Sequence, residues 1–86
     1  MKLYFTKRFE KKLRRCAKKK RMKCVQRLDL FRTEPTHDLL RLHPLKGKYT
    51  DYWSINITGD LRAIFRFVDD STAVFVDLDT HSNLYS

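Results

Sequence analysis

The chain is poor in the residues that break or staple a fold: of 86 residues, two are glycine, two proline, two cysteine and one tryptophan. So few breakers leave no flexible or Pro-rich linker, no low-complexity tract is present and no segment repeats, so one small domain over residues 1–86 is expected. A chain this short buries a real but limited core. Cys16 and Cys24 stand eight apart, which is neither a metal-ligand spacing nor a disulfide framework, and both are read as reduced, buried thiols acting as small hydrophobes. Long hydrophobic runs are also missing. The longest apolar stretches are strand-sized, against the roughly 20 residues of a membrane span. The lysine-rich amino terminus lacks the apolar region of a secretory signal. A cytoplasmic location without membrane contact is expected.

Acids are scarce where bases abound. Residues 1–24 hold twelve Lys and Arg against one acid, Glu10, while the remainder holds seven bases and nine acids, within a formal net charge of +9. A nearly neutral body therefore carries a basic arm. Such an arm attracts polyanions and speeds their encounter, and it equally suits an acidic protein partner.

The arm reads as helical. Lys2–Phe5 is a short β-prone segment, and Thr6 has the side chain of an N-cap for a helix starting at Lys7. Phe9, Leu13, Cys16 and Ala17 form one apolar helical stripe, and Cys24, Leu28 and Phe31 form a second, with Val25 beside it. Lys18–Lys23 is too polar to bury and is either a basic turn or a solvated continuation. Glu34-Pro35 ends the helix, since proline disfavours helical geometry in the residue before it. After Leu39, Leu40 and Leu42 the period changes to two: Trp53, Ile55 and Ile57, then Leu61, Ala63, Phe65 and Phe67, alternate with polar or outward residues across Thr58-Gly59. Asp69-Asp70-Ser71 makes the next turn. Ala73–Leu78 is apolar on both faces apart from Asp77, as a central strand would be. The order is βααβββ, an α+β fold with a helical hairpin packed on one face of a mainly antiparallel sheet.

Alternation puts Asn56, Asp60 and Arg62 on the face opposite the core or at its turn end. His43 precedes the hairpin and His81 follows the last strand, so both can converge there. RNA cleavage through the 2′-hydroxyl needs a base, an acid for the leaving 5′-oxygen, and positive charge for the phosphorane-like transition state. Two histidines and an arginine supply these without metal or cofactor. Each residue also has a plain role: surface histidines, a structural ion pair of Arg62 with Asp60 or Asp77, a turn at Asp60, and a carboxy terminus pinned by Tyr85. Tyr49, Tyr52 and Trp53 either stack on bases or pack against the core.

His43-Pro-Leu-Lys-Gly, Ile55-Asn-Ile-Thr-Gly-Asp-Leu-Arg62-Ala-Ile-Phe and Thr80-His-Ser-Asn-Leu-Tyr85 resemble the RelE/ParE superfamily of toxins from type II toxin–antitoxin pairs, nearest its YafQ-like branch. The resemblance covers nearly the whole chain. It implies a ribosome-dependent mRNA interferase that cuts the codon in the decoding site and is silenced by a cognate antitoxin, expected to be small and acidic. It further implies His43 and His81 as the acid–base pair, with His43 favoured as base, Asp60 as the residue that orients them, Arg62 on the scissile phosphate and Tyr85 on the substrate. Lys11, Lys12, Arg14, Arg15, Lys18, Lys19, Lys46 and Lys48 would meet RNA phosphates. YafQ-like members commonly carry a further histidine where this chain has Asn56, which hydrogen-bonds but carries no proton. A ParE-like gyrase inhibitor and a non-catalytic RNA- or protein-binding module are the alternatives on the same scaffold.

Overall fold

The computed structural model describes residues 1–80. Strand β1 (Lys2–Phe5) leads through Thr6 into α1 (Lys7–Arg15), which is followed by α2 (Lys18–Thr33), β2 (His43–Pro44), β3 (Trp53–Asn56), β4 (Leu61–Asp69) and β5 (Thr72–Thr80). Single turns of 3-10 helix, Asp38–Leu40 and Gly47–Tyr49, flank β2. The sheet order is β1-β5-β4-β3-β2. β1 runs parallel to β5, and the other three pairings are antiparallel. The α+β expectation holds, with β2 as an added fifth strand.

Thr6 caps α1 as its sequence suggests: its side-chain oxygen accepts the Phe9 amide at 3.2 Å and donates to the Val76 carbonyl at 3.3 Å. The cap therefore also fastens α1 to β5 where β1 ends. Lys18–Lys23 resolves as the start of α2, and only Cys16-Ala17 separates the helices. Arg21 bridges that break by donating to the Cys16 carbonyl at 2.6 Å.

Phe9 from α1 and Cys24, Leu28 and Phe31 from α2 meet Ile55, Ala63, Phe65, Phe75 and Leu78 of the sheet in one core. Phe31 sits edge-on to Phe65 and Phe75, with ring centres 4.9 and 5.6 Å apart, an arrangement that adds about 0.5–1.5 kcal/mol per pair beyond area burial. Trp53 stands edge-on to Phe67 at 5.7 Å, so it serves packing. Cys24 is fully buried, and burial, with Cys16 nearby, pushes its thiol up to about 12. The thiol is protonated at neutral pH, as expected of a small hydrophobe.

Phe75 and Leu78 both face the core although simple alternation would put them on opposite faces. The register explains it: Ile64 pairs with Asp77 but Phe65 with Phe75, leaving Val76 as an extra residue. A β-bulge there resets the alternation, and it turns Asp77 onto the face away from the helices.

Candidate active site

Two rows of residues cross that second face. His43 of β2 is in register with Ser54 of β3, Ser54 with Ile64 of β4, and Ile64 with Asp77 of β5. The next row is Asn56, Arg62 and Asp79. The sequence expectation placed His43 and Arg62 on this face, and the strand register does so.

His43 is held at both ring nitrogens. Nδ1 lies 2.8 Å from the Arg41 carbonyl and Nε2 lies 3.2 Å from the Ser54 hydroxyl. A carbonyl can only accept, so Nδ1 carries the proton and Nε2 of the neutral ring takes the Ser54 hydroxyl hydrogen. Arg41 presents its carbonyl from a left-handed conformation, φ 46° and ψ 49°, at a cost of order 1–3 kcal/mol for a non-glycine residue. Ser54 is fully buried. It therefore orients the ring and is out of reach as a nucleophile.

Arg62 is buried at 8% exposure and folds back beneath the β3–β4 turn, donating to the carbonyls of Thr58 at 3.2 Å and Gly59 at 3.3 Å. It orders the turn on which Asp60 stands exposed. Asp77, the other acid expected beside Arg62, binds different cations. Lys12 reaches it at 2.7 Å and Arg8 at 3.4 Å, the Tyr49 hydroxyl donates at 3.1 Å and the Leu78 amide at 2.8 Å. Lys12 also lies 3.9 Å from Asp79. Burial alone would raise the Asp77 carboxyl, but the bond from Lys12, the Leu78 amide, the Lys12 charge and Tyr49 together hold it below the usual carboxylate range. Burial and the bond to Asp77 raise the Tyr49 phenol.

Among the bases expected to meet RNA, Lys11, Arg14, Arg15, Lys18 and Lys19 are exposed on the helices, and Lys46 and Lys48 are exposed just after β2. Lys12 differs, being half-buried against Asp77. His81 and Tyr85 lie outside the described residues. Sequence reasoning missed Ser54 and the Arg41 carbonyl. Period-two alternation already put Ser54 beside Asn56, but its link to His43 runs through a two-residue strand with no periodicity of its own.

Solved toxins share this fold. The YoeB/ParE toxin from Agrobacterium tumefaciens matches with a TM-score of 0.75 and 24% identity over 94% of this chain and 99% of that one. YafQ from E. coli matches with 0.67 and 20% over 98% and 97%. RelE in the archaeal RelE–RelB complex from Pyrococcus horikoshii matches with 0.72 and 19% over 92% and 92%. The molecule thus has the fold of the RelE-like toxins. A family model, bacterial toxin of type II toxin–antitoxin system, YafQ, matches residues 1–86. The chain belongs to that family, and is a toxin of a type II toxin–antitoxin system. No curated protein sequence matches it. None of the helices among the described residues is long and apolar enough to cross a membrane.

Proposed function

We propose that this toxin is a ribosome-dependent endoribonuclease that cuts mRNA in the decoding site by general acid–base catalysis, without cofactor. The observation that carries the reading is the setting of His43. Its ring is fixed with Nε2 as the proton acceptor, on the face where Arg62 crosses the sheet one row away. His43 removes the proton of the 2′-hydroxyl, whose oxygen attacks the adjoining phosphorus. The bond to the 5′-oxygen breaks, leaving a 2′,3′-cyclic phosphate, and His81 protonates the departing oxygen. Arg62 supplies positive potential for the phosphorane-like charge. Asp60 orients the proton carriers, and Tyr85 stacks on the substrate.

Lys11, Arg14, Arg15, Lys18, Lys19, Lys46 and Lys48 bind ribosomal or messenger phosphates, which position without reading sequence. Lys12 contributes less, being engaged by Asp77. The cognate antitoxin is a small acidic protein whose segment folds over the basic surface and blocks access; the matched RelE stands in a complex with RelB. The toxin acts in the cytoplasm.

Primer extension on a translated message is the test, after induction of wild type, His43→Ala and His81→Ala. Wild type should give codon-linked cuts, and each variant should lose about 10²–10⁴-fold of the cutting, the usual worth of a positioned acid or base. Growth arrest by wild type without cuts in mRNA would overturn the reading, and DNA damage in the same cells would indicate a gyrase inhibitor instead.

A further inference from the structure

A cavity of about 480 Å³ opens just before the start of β2, lined by Lys23 and Arg27 of α2, Asp38 and Arg41 of the following turn, and Asn56 and Thr58 at the end of β3. Three cations face one acid there. No ion pair holds Lys23, Arg27 or Arg41 among the described residues. Two polar atoms at this cavity are shielded from solvent and have no protein partner: Nε of Arg27, a donor, and Oδ1 of Asn56, an acceptor. A buried donor and a buried acceptor left unmatched around one opening is an unusual expense for so small a domain, since such groups are nearly always satisfied. Small shifts of the guanidinium and the carboxamide toward a bound molecule would recover both.

The ligand that completes the cavity must offer negative charge to the cations, an acceptor to Arg27 and a donor to Asn56. Anions such as chloride or sulfate offer no donor, and the hydroxyl of hydrogen phosphate is the same group that bridges to the ribose in a nucleotide. A nucleotide offers all three, because its phosphate is anionic and each base edge carries both donors and acceptors. The cavity's place in the fold favours RNA over an acidic peptide: Arg41 holds His43 through its carbonyl, and Asn56 is in register with Arg62. A chain lying over His43 and Arg62 would continue into it.

We propose that this cavity is a nucleotide subsite, which takes the base and phosphate of an RNA residue adjoining the cleaved bond. The phosphate lies against Lys23, Arg27 and Arg41, and the carboxamide of Asn56 meets the base edge. Asn56 thus serves recognition, since its carboxamide hydrogen-bonds but carries no proton. The inference deepens the ribonuclease reading and rests on it for its direction along the RNA.

The test is an NMR titration of the whole chain with adenosine 5′-monophosphate and cytidine 5′-monophosphate, with ribose 5-phosphate and a tetraglutamate peptide as controls. The nucleotides should shift the backbone amides of Arg41, Asn56, Thr58 and Gly59, and should bind several-fold tighter than ribose 5-phosphate. Arg41→Gln, at an exposed position, should weaken nucleotide and ribose phosphate alike, by roughly tenfold, the order expected for one charge-assisted contact. Asn56→Ala should abolish the advantage of the base while leaving ribose 5-phosphate binding unchanged. Shifts confined to other surfaces, an Asn56→Ala variant that keeps the preference, or tetraglutamate binding as tightly as the nucleotides would each overturn the subsite. If wild type cuts translated mRNA but the cavity ignores nucleotides, the subsite fails and the ribonuclease stands. Nucleotide binding with the Asn56 dependence supports the subsite even where mRNA is left intact, an outcome that removes the ribonuclease alone.

Discussion

His43 illustrates how a side chain of ordinary identity becomes a directed one. Free imidazole exchanges between two neutral tautomers, and a carbonyl acceptor at Nδ1 removes that choice. Arg41 supplies the carbonyl from a strained backbone position, and Ser54 closes the other side of the ring. The hydroxyl bond at 3.2 Å is long for a hydroxyl donor, so substrate can replace it at modest cost. Ser54→Ala should leave the neutral ring with its proton on Nδ1, as read from the ¹⁵N shifts of His43, while slowing mRNA cutting about tenfold, the equivalent of one hydrogen bond of about 1–1.5 kcal/mol. Ser54→Thr, which keeps the hydroxyl, should restore most of the rate. Equal rates in wild type and Ser54→Ala would show that the hydroxyl does not position the ring.

Among the elements, α1 and the β2–β3 connection are tied to one carboxylate. Asp77 receives Lys12 and Arg8 from α1 and Tyr49 from the 3-10 turn after β2. The bulge at Val76 sets Asp77 in the row of Ile64 on the second face, where the long side chains of Lys12 and Arg8 reach it. Its carboxyl is depressed below the ordinary 3.8, so its contribution to stability is fully present above that value and is lost as pH falls through the folded-state value. Asp77→Asn should therefore cost about 1.5–3 kcal/mol at pH 7, the range for hydrogen bonds to a charged group, and should flatten the acid limb of the urea-unfolding stability curve. Equal stability of variant and wild type at pH 7, or a difference between them that stays constant as pH falls through the folded-state value, would deny Asp77 this role. The start of α2 makes the opposite choice: Lys18, Lys19 and Lys20 crowd its positive end, with no acid in the first turn. Like-signed charge at a helix end costs roughly 0.3–1 kcal/mol. A surface retained at that cost fits one selected to meet polyanions.

At the scale of the whole molecule, the basic arm and the candidate site are segregated. The basic arm occupies the helices, while His43, Ser54, Asn56 and Arg62 lie on the sheet face turned away from the core. Binding to single-stranded RNA should then be dominated by phosphates and depend steeply on salt. With about five phosphates neutralised, affinity should fall about a hundredfold between roughly 50 and 200 mM monovalent salt. Replacing Lys18 and Lys19 by Gln should make the slope of log affinity against log salt shallower by about 0.7 for each phosphate no longer neutralised. An unchanged slope would place the RNA away from α2.

Much of this protein was legible in one dimension because local physics controls it. The helical stripe of Cys24, Leu28 and Phe31, the apolar positions Phe9 and Leu13, the Thr6 cap, the stop at Pro35 and the period-two hairpin are each set by residues a few positions apart, so the α+β layering followed from them. Cys16 and Ala17 fall in the break between the helices, with Ala17 exposed. The terminal and HPLKG motifs likewise pointed to the toxin family that the whole-chain match establishes. Other features depend on residues far apart in sequence. The β2 strand is too short to show a period, the bulge at Val76 exists only against its partner strand, and Lys12 looked like any other base of the arm until Asp77 came within its reach. The sequence by itself determined which residues seek the core, which carry charge and which segments become helix or strand. Tertiary structure alone decided that Arg41 and Ser54 hold His43, that Asp77 takes Lys12 from the basic surface, and that Arg27 and Asn56 meet around one cavity. Hydrogen bonds and ion pairs act over a few ångströms, and only the folded chain brings those distant residues within that range.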